Sequence, residues 1–239
     1  MVGEKKTMKA VLLAAGRGER LRPLTDITPK CLIPVHGIAL LEYWLKLFKK
    51  HNIQDIIINT NYLSDKIYDY IITNHPNDFN WTITYEPILL GSASTLLSLR
   101  YELTDTFLVC NADNVTNINL TELIKFHKLK HGLMTMALMD TKDPSSCGVV
   151  GLDEDHKVSY FKEKPAKDEL LPPIYAANAG IYVMEPQVLN FIPSGQVCDI
   201  GKDLIPNIPN KYGTYIDGVC FDIGTLQRYK EVEELHESY

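Results

Sequence analysis

Two glycines and a group of basic residues follow the first apolar run of this sequence. The run Lys9–Ala14 leads into Gly16 and Gly18. Glycines placed directly after a buried strand let the backbone approach a phosphate closely and point its N–H groups at it. The basic residues that follow are Arg17, Arg20, Arg22 and Lys30. Because arginine and lysine bind phosphate oxygens, the segment predicts a polyphosphate-binding loop, with a solvated basic loop as the simpler alternative.

The established nucleotide-binding motifs do not describe this loop. The dinucleotide fingerprint needs a third glycine where this chain has Leu21, and the P-loop needs a Gly-Lys-Ser/Thr sequence that the loop lacks. The loop also differs in charge from the rest of the chain. Seven basic and three acidic residues between Met1 and Lys30 give +4, whereas the whole chain of 239 residues carries −6. An acidic chain does not suit nucleic-acid wrapping, but a local basic patch can bind a small anionic ligand.

Two aspartates occupy positions that suit a metal ion. Asp113 follows an apolar run that ends at Asn111, and Asp222 lies between another apolar run and the glycine turn at Gly224. Mg²⁺ in nucleotide sites is bound by one or two carboxylates together with phosphate oxygens and water. The pair therefore predicts a magnesium site, and an aspartate that simply serves a turn or a helix N-terminus is the alternative at each position.

Histidine and cysteine spacing indicates no other reactive or metal site. The histidines lack ligand spacing, and we interpret all seven as surface residues: His36, His51, His75, His127, His131, His156 and His236. The five cysteines are scattered, without a Cys-x-x-Cys pair: Cys31, Cys110, Cys147, Cys198 and Cys220. This usage is typical of a reduced protein and excludes a zinc ribbon or a disulfide scaffold.

Apolar runs that alternate with helical periodicity predict the elements that position these residues. Strands are predicted at Lys9–Ala14, Asp55–Asn59, Thr82–Glu86 and Thr106–Asn111. Helices are predicted at Leu40–His51, Ser64–Asn74 (with Ser64 as the N-cap) and Ser92–Leu103. Strand–helix–strand repetition indicates right-handed βαβ units. The predicted fold class is therefore α/β, a Rossmann-like doubly wound mixed sheet with a smaller second lobe.

The second half of the sequence has a different pattern. After a helix at Leu120–His131 come strands at Thr135–Met139, Val149–Leu152, Lys157–Glu163 and Ala177–Val183, with a last helix at Leu226–Leu235. These strands predict a mixed extension of the sheet that carries a ligand lobe. We predict one domain over residues 8–239, with halves at about 8–115 and 116–239, after an N-terminal extension of residues 1–7.

Composition limits the classes of protein that this chain can belong to. At 45% hydrophobic and 23% charged residues it falls in the globular range. The apolar stretch near the N-terminus, Val11–Ala15, is too short for a signal sequence or a membrane span. We therefore predict a cytoplasmic protein that binds neither membrane nor nucleic acid.

The loop resembles the signature of a known family. Gly16-x-Gly18-x-Arg20-x-x-Pro23-x-Thr25 followed by Pro29-Lys30 is similar to the signature of the sugar-1-phosphate nucleotidylyltransferases. The resemblance implies that the loop wraps a nucleoside triphosphate and that Arg20 and Lys30 are catalytic. It assigns nucleotide binding to Leu13, Ala14, Ala15, Gly16, Gly18, Glu19, Arg20, Glu86, Gly91, Ser92, Ala93, Asn111 and Asp113. Glu19 departs from the family pattern, which commonly has threonine or serine there.

The same resemblance extends to the metal and the second substrate. It makes Asp113 and Asp222 the ligands of Mg²⁺. It implies a sugar-phosphate site in the smaller lobe, formed by Gly148, Glu163, Lys164 and Asn178. The base would be read near Glu86 and Leu90–Ala93, where the spacing is longer than the common Glu-Pro-Leu-Gly form; an ordinary helix start with Ser92 as its N-cap is the alternative there. Family analogy also implies a homodimer.

These residues predict a reaction that joins an NTP and a sugar 1-phosphate to give an NDP-sugar and pyrophosphate. The segment around Asn178 resembles the mannose-1-phosphate guanylyltransferase branch, which implies GTP with a mannose-type or heptose 1-phosphate for polysaccharide biosynthesis. UTP or CTP with another phosphorylated substrate is the first alternative. A metal-dependent glycosyltransferase, which would not need the loop from Gly16 to Lys30, and a non-catalytic nucleotide-sugar-binding relative are the others.

Overall fold

The structure, a computed structural model, describes residues 8–141, 143–170 and 176–235. Within these ranges the strands are β1 (Lys9–Leu13), β2 (Pro34–Val35), β3 (Ile38–Ala39), β4 (Asp55–Thr60), β5 (Asn80–Tyr85), β6 (Phe107–Asn111), β7 (Asn114–Thr116), β8 (Met134–Met139), β9 (Gly148–Leu152), β10 (Val158–Glu163), β11 (Ala176–Met184), β12 (Lys211–Tyr215) and β13 (Cys220–Asp222). The α-helices are α1 (Leu40–Lys50), α2 (Ser64–Asn74), α3 (Ser92–Ser98), α4 (Leu120–Lys130) and α5 (Leu226–Glu234).

The chain forms two compact units, and the first is built from residues 8–89, 110–117 and 219–235. Its β4 pairs in parallel with β1 and with β5. In β4 the residues from Ile56 to Thr60 are all buried. Since successive side chains of a strand point to opposite faces, both faces of β4 are covered, as in parallel sheets. The parallel strands and their connecting helices confirm the predicted α/β fold class.

One apolar cluster joins the separate segments of the first unit. Its buried members come from the loop after β1, the β2–β3 hairpin with the residues on either side of it, β7 and the segment around α5: Leu21, Ile33, Val35, Leu40, Val115, Ile223 and Val232. The predicted functional segments at both ends of the chain therefore share a core. The helical stripe of α1 is confirmed, because Leu41, Trp44, Leu45 and Phe48 are all buried.

The start of α2 differs from the prediction. Ser64 is the first helical residue and not its N-cap; the cap position is taken by Leu63, which has a φ of 52° and gives no side-chain hydrogen bond. A side chain caps a helix only from the residue that precedes the first helical one. The interpretation of Ser64 as the N-cap is therefore wrong, although the predicted bounds of the helix agree with the structure.

An ionic cluster links α1 to the end of α2 in the first unit. His75 lies between two acids, with Nε2 2.5 Å from Oε1 of Glu42 and Nδ1 3.0 Å from Oδ2 of Asp78. Burial alone would lower the pKa of His75, but the hydrogen bonds to Asp78 and Glu42 and their charges outweigh it and raise this pKa above 6.5. The charged imidazolium is therefore favoured in the folded state.

This cluster should make stability depend on pH. A histidine whose pKa is raised by folding stabilises the protein fully below its unfolded pKa and loses that contribution as pH rises through the folded pKa. The loss in unfolding free energy caused by His75→Gln should thus be larger at about pH 5.5 than at about pH 8 in urea titrations. His51 is the control, because burial lowers its pKa and His51→Gln should show the opposite trend. Equal losses for His75→Gln at both pH values would contradict the prediction.

The second unit contains residues 90–109, 118–141, 143–170 and 176–218 among those described. Strand β8 pairs antiparallel with β11 and parallel with β12, and β9 pairs antiparallel with both β10 and β11. This mixed pairing confirms the mixed character of the predicted extension. Because the chain returns to the first unit at Val219, the units do not follow the predicted halves, whose division by function stays a prediction.

Two local predictions in the second unit are wrong. Helix α3 ends at Ser98, and hydrogen-bonded turns replace the predicted helix up to Leu103. His127 is not a surface residue: its side chain is 2% exposed and its ring nitrogens lie 2.9 Å from Oγ1 of Thr135 and 3.0 Å from Oε1 of Glu185. Burial lowers the pKa of His127. His236 lies outside the described residues.

Candidate functional site

The loop after β1 is closed by contacts within the predicted signature. Gly18 has a φ of 64°, a left-handed conformation that favours glycine. Its carbonyl accepts hydrogen bonds from the Leu21 N–H at 2.8 Å and from Oγ1 of Thr25 at 2.9 Å. Leu21, which replaces the third glycine of a dinucleotide fingerprint, is buried in the core cluster. The Gly–Arg–Pro–Thr spacing therefore folds a tight loop anchored by Leu21 and Thr25.

Gly18→Ala should destabilise the protein by more than the cost of its backbone conformation. A Cβ at Gly18 would lie 2.7 Å from Cγ2 of Thr25 and 3.3 Å from Cβ of Lys30. Gly37 is a matched control, because it has a φ of 74° but a Cβ there would meet no heavy atom within 4 Å. We expect Gly37→Ala to cost about 1 kcal/mol and Gly18→Ala at least about 2 kcal/mol in urea unfolding. Equal losses would show that the loop can accommodate the methyl group.

A cavity of about 570 Å³ lies beside this loop in the first unit. Its walls are formed by Leu13, Ala14, Gly16, Arg17, Gly18, Glu19, Arg20, Lys30, Cys31, Leu89, Ala112, Asp113 and Gly224. Most of the predicted nucleotide-binding residues of the first unit thus share one cavity. The predicted residues Ala15, Glu86 and Asn111 do not line it, and Asp222 lies next to its wall residue Gly224.

The two predicted metal ligands lie close together. Asp113 lies between β6 and β7, and Asp222 ends β13, which pairs antiparallel with β7 so that Asp222 is opposite Asn114. The Ile223 N–H donates to the carbonyl of Asp113 at 3.0 Å. A Cβ at Gly224 would lie 2.9 Å from Oδ1 of Asp222, so glycine leaves room for this carboxylate. Strand pairing therefore brings together two acids that are far apart in sequence.

Each of these acids has a cationic partner. Lys30 donates through Nζ to Oδ2 of Asp113, and Arg228 donates through its guanidinium to Oδ2 of Asp222. Burial and the charge of Asp113 raise the pKa of Asp222, while Lys30, Arg228 and Arg20 act to lower it. One carboxylate and three cations therefore act on Asp222, and three of these four groups, Asp113, Lys30 and Arg20, line the cavity.

The acid pair fits a hard divalent cation. Burial and the charge of Asp113 both disfavour the charged form of Asp222 and so raise its pKa, and an added positive charge would offset both effects. Within residues 8–141, 143–170 and 176–235, no group of three or more His, Cys, Asp or Glu side chains could hold an ion. The ion would thus need phosphate oxygens and water as further ligands, which is the coordination that Mg²⁺ prefers.

Glu86 connects to the loop through a residue that sequence analysis missed. Asn59, at the end of β4, accepts a hydrogen bond from the Ala14 N–H at 2.8 Å and donates to Oε1 of Glu86 at 2.8 Å. Asn59 and Glu86 are both buried. The sequence signal for this role was the amide side chain of Asn59 directly after the apolar run Ile56–Ile58. In this structure Glu86 therefore supports the first turn of the loop through Asn59.

In the second unit, Glu163 is held between two glycines. The register of β10 and β9 places Glu163 opposite Gly148. A Cβ at Gly148 would lie 2.8 Å from Oε2 of Glu163, and a Cβ at Gly201 would lie 2.6 Å from the same atom. Both glycines therefore leave space for this carboxylate. Gly201 is a contributor that sequence analysis missed, because nothing near it marks a site.

Charged residues surround the Glu163 carboxylate. Burial raises the pKa of Glu163, Lys164 and Lys202 act to lower it, and Asp199 adds to the rise. Lys164 is exposed and has a φ of 46°, and its N–H donates to the carbonyl of Cys147 at 3.0 Å. Lys202 and Asp199 were not predicted, since they follow Glu163 by more than thirty residues.

Asn178, on β11, is tied to a buried tyrosine. Its Nδ2 donates to the hydroxyl of Tyr182 at 2.7 Å, and its Oδ1 accepts from the Gly180 N–H at 3.0 Å. Burial raises the pKa of Tyr182, and the charge of Glu163 adds to that rise. Tyr182 is therefore hydrogen-bonded to Asn178 and lies within electrostatic range of Glu163.

The predicted base-reading turn has its polar groups engaged within the second unit. Gly91, with a φ of 86°, takes the N-cap position of α3, so the interpretation of Ser92 as the cap is wrong. The Ala93 N–H donates to the carbonyl of Cys198 at 2.9 Å. Oγ of Ser92 accepts from the Ile200 N–H at 2.8 Å. A Cβ at Gly91 would lie 2.5 Å from the Cys198 carbonyl oxygen, which explains why a residue without a side chain occupies this position.

Comparison with known proteins decides the family. A family model described as nucleotidyl transferase matches residues 9–238. The chain belongs to the nucleotidyl transferase family. The resemblance of its loop to the sugar-1-phosphate nucleotidylyltransferases is thereby confirmed.

Named relatives of this nucleotidyl transferase differ in their nucleotide. A UTP–glucose-1-phosphate uridylyltransferase of Synechocystis is 33% identical over 93% of the chain and 61% of the relative. A mannose-1-phosphate guanylyltransferase of Mycobacterium tuberculosis is 30% identical over 92% of the chain and 62% of the relative. A bifunctional protein GlmU of Methanococcus maripaludis is 31% identical over 91% of the chain and 51% of the relative. The chain thus spans between about half and two thirds of the length of these relatives.

Solved structures share the fold of this nucleotidyl transferase. A putative glucose-1-phosphate thymidylyltransferase from Bacillus anthracis has a TM-score of 0.81 at 21% identity and covers 98% of each chain. HddC from Yersinia pseudotuberculosis has a TM-score of 0.79 at 20% identity, over 95% of this chain and 99% of its own.

None of the helices in the described ranges combines the length and apolar composition needed to cross a bilayer.

Proposed function

We propose that this nucleotidyl transferase joins an NTP and a sugar 1-phosphate into an NDP-sugar and releases pyrophosphate. A phosphate oxygen of the sugar 1-phosphate attacks the α-phosphorus of the NTP. The new bond forms between that oxygen and the α-phosphorus, and the bond from the α-phosphorus to the bridging oxygen of the pyrophosphate breaks. The observation that carries the proposal is the convergence of Asp113, Lys30 and Arg20 at the loop-lined cavity, with Asp222 within electrostatic range of all three.

The reaction needs charge neutralisation and alignment rather than a general base. The attacking phosphate oxygen is already anionic, so no proton has to be removed from it. Holding the two phosphates in line converts a bimolecular step into a nearly unimolecular one, and fixed cations stabilise the charge of the transition state.

The cavity of the first unit supports the binding of the triphosphate. The N–H groups of the loop from Gly16 to Gly18 and the Arg20 guanidinium would hold the leaving pyrophosphate, and Lys30 would contact the α-phosphate. Asp113 and Asp222 would hold the Mg²⁺ ion, which when bound supplies positive charge to the phosphate oxygens.

The cluster around Glu163 in the second unit supports binding of the sugar 1-phosphate. A carboxylate is a pure acceptor, so Glu163 would accept hydrogen bonds from two sugar hydroxyls. Asn178, held by Tyr182, would contact the sugar as well. Lys164 would bind the phosphate group of the sugar, with Lys202 as a second cation near the same carboxylate.

GTP with a mannose-type or heptose 1-phosphate is the substrate pair that we propose first, because the segment around Asn178 resembles the guanylyltransferase branch. Relatives named mannose-1-phosphate guanylyltransferase, at 30% and 31% identity, support it. UTP with glucose 1-phosphate is the competing pair, supported by the uridylyltransferase at 33% identity.

A pyrophosphate-release screen tests this function. The purified chain is incubated with Mg²⁺, each of the four common NTPs and a panel of sugar 1-phosphates, and pyrophosphate is measured with a coupled assay. We expect release only when both substrates are present, with GTP as the preferred nucleotide. Release from an NTP alone, or none with any pair under conditions where the fold is intact, would contradict the proposal. Preference for UTP would retain the reaction and reassign the base.

A further inference from the structure

The ion pair between Arg228 and Asp222 is built into the start of α5. Oγ1 of Thr225 accepts a hydrogen bond from the Arg228 N–H at 3.3 Å, which caps the helix. The carbonyl of Thr225 accepts from the Tyr229 N–H at 2.9 Å. These contacts fix the first turn of α5, and the guanidinium of Arg228 then reaches back six residues to Oδ2 of Asp222.

The other end of α5 is fixed as well. Oε1 of Glu233 accepts a hydrogen bond from the His36 N–H at 2.6 Å, and Val232 is buried in the core cluster. Arg228 therefore extends from a helix that is anchored on both sides. The side chains of Arg228 and Asp222 are 31% and 35% exposed, so the pair is accessible to ions without being fully solvated.

Each predicted metal ligand therefore forms an ion pair with a basic side chain, Asp113 with Lys30 and Asp222 with Arg228. The four groups together carry no net charge. A divalent ion that binds between the acids would meet two positive side chains that already contact the oxygen atoms it needs. Like charges a few ångströms apart repel each other even in a high-dielectric environment.

We propose that Arg228 is a positioning residue that holds Asp222 beside Asp113 when no metal is bound and competes with the divalent ion for that carboxylate. The inference rests on the proposed function, because it takes the two aspartates as the metal ligands. It makes the free enzyme a weak binder of metal, so that the ion enters together with the triphosphate, whose negative charge offsets the cations.

The competition has two measurable consequences in opposite directions. Removing Arg228 leaves the partly buried Asp222 without that ion pair and with less compensating positive charge, which destabilises the fold. The same change removes a competing positive charge and should strengthen binding of the metal. Arg228→Gln should thus lower the melting temperature of the metal-free protein and increase the stabilisation that a metal gives, since a ligand that binds more tightly stabilises the folded state more.

The first experiment measures binding of Mn²⁺ alone to the full chain by electron paramagnetic resonance, without nucleotide. Arg228→Gln should bind Mn²⁺ at least about tenfold more tightly than the wild type. Arg228→Lys retains the charge and should stay within about threefold of the wild type. Lys230→Gln, an exposed residue of the same helix with the same change in charge, is the matched control and should bind as the wild type does. Unchanged or weaker binding by Arg228→Gln would overturn the inference.

A measurement on the wild type covers the case in which Arg228→Gln does not fold. Modification of Arg228 by p-hydroxyphenylglyoxal, followed by peptide mass spectrometry, should accelerate at least about threefold when Mn²⁺ is added, because the metal releases the guanidinium from Asp222. A constant or slower rate would contradict the competition.

Asp222→Asn separates this inference from the proposed function. If Asp222→Asn binds Mn²⁺ as the wild type does, the acid pair is not the metal site and the proposed Mg²⁺ ligands are wrong. If Asp222→Asn loses Mn²⁺ binding while Arg228→Gln does not strengthen it, only the role of Arg228 fails. The pyrophosphate-release screen reports on the reaction independently of both results.

Discussion

Replacing Asp113 by asparagine should lower the turnover number for pyrophosphate release by about 10²–10³. Asp113 lines the cavity, contacts Lys30 and lies beside Asp222, so the change removes one charge from the group proposed to hold Mg²⁺ and to align Lys30. Asparagine keeps the shape of the side chain, and the backbone contact from Ile223 to the Asp113 carbonyl is unaffected. The loss should appear in single-turnover rates measured with saturating NTP and sugar 1-phosphate.

A matched variant and a fold check make this result interpretable. Asp65→Asn removes the same charge from an exposed position on α2 and should leave turnover within about twofold of the wild type. Far-UV circular dichroism should be unchanged in both variants. Lys30→Ala should reproduce the large loss, because the lysine is the partner of Asp113 and is proposed to contact the α-phosphate. Wild-type turnover in Asp113→Asn would remove this acid from the mechanism.

Replacing Glu163 by glutamine should lower kcat/KM for the sugar 1-phosphate by about 10–10², while the KM for the NTP stays within about twofold. Glutamine has nearly the same volume, so the space left by Gly148 and Gly201 still accommodates it. One acceptor oxygen becomes an NH₂ group, however, and hydrogen bonds from sugar hydroxyls to a charged acceptor are lost. Initial rates with one substrate varied at saturation of the other measure both constants.

The control for Glu163 lies a few residues along the chain. Glu169 is an exposed acid whose Oε1 lies 3.1 Å from Nζ of Lys162, and Glu169→Gln should not change either constant by more than about twofold. A rise in the KM for the NTP with Glu163→Gln, and none for the sugar phosphate, would reverse the proposed assignment of the two substrates.

The long elements of this fold could be predicted because their patterns are local. The buried residues of β4 form one apolar run, and those of α1 form a stripe at helical spacing, so a short stretch of sequence is enough to predict each element. Both predicted elements agree with the structure. The loop from Gly16 to Thr25 was recognisable for the same reason, since its glycine, arginine and threonine spacing folds on itself.

The short strands could not be predicted from such patterns. β7 and β13 have three residues each, too few to show an alternation, and they exist because they pair with each other over a separation of about a hundred residues. That pairing also determines which acids meet. The contact of Arg228 with Asp222 had one local signal, the helix cap at Thr225 three residues earlier. The direction of an arginine side chain, however, depends on the groups that the tertiary structure places around it.

Residues that depend on tertiary packing were predicted least well. His127 has no unusual neighbours in sequence, yet it is buried because Thr135 and Glu185 supply partners for both ring nitrogens. Ser64 and Ser92 are residue types that favour helix N-caps, but each is the first helical residue, and the cap positions are taken by Leu63 and Gly91, which have positive φ values. Backbone geometry outside the helix therefore overrode the local preference.

The first unit draws its segments from both sides of the second in chain order, with Cys110–Asn117 in the middle and the residues from Val219 onward at the end. A ribosome therefore releases Asp113 long before Asp222, and at about 5–20 residues per second the interval is several seconds or more. During that interval β7 has no partner strand, and the nascent polypeptide presents only one of the two acids proposed to hold magnesium. The proposed pair of ligands is therefore completed late in synthesis, when the returning segment leaves the exit tunnel and pairs with β7.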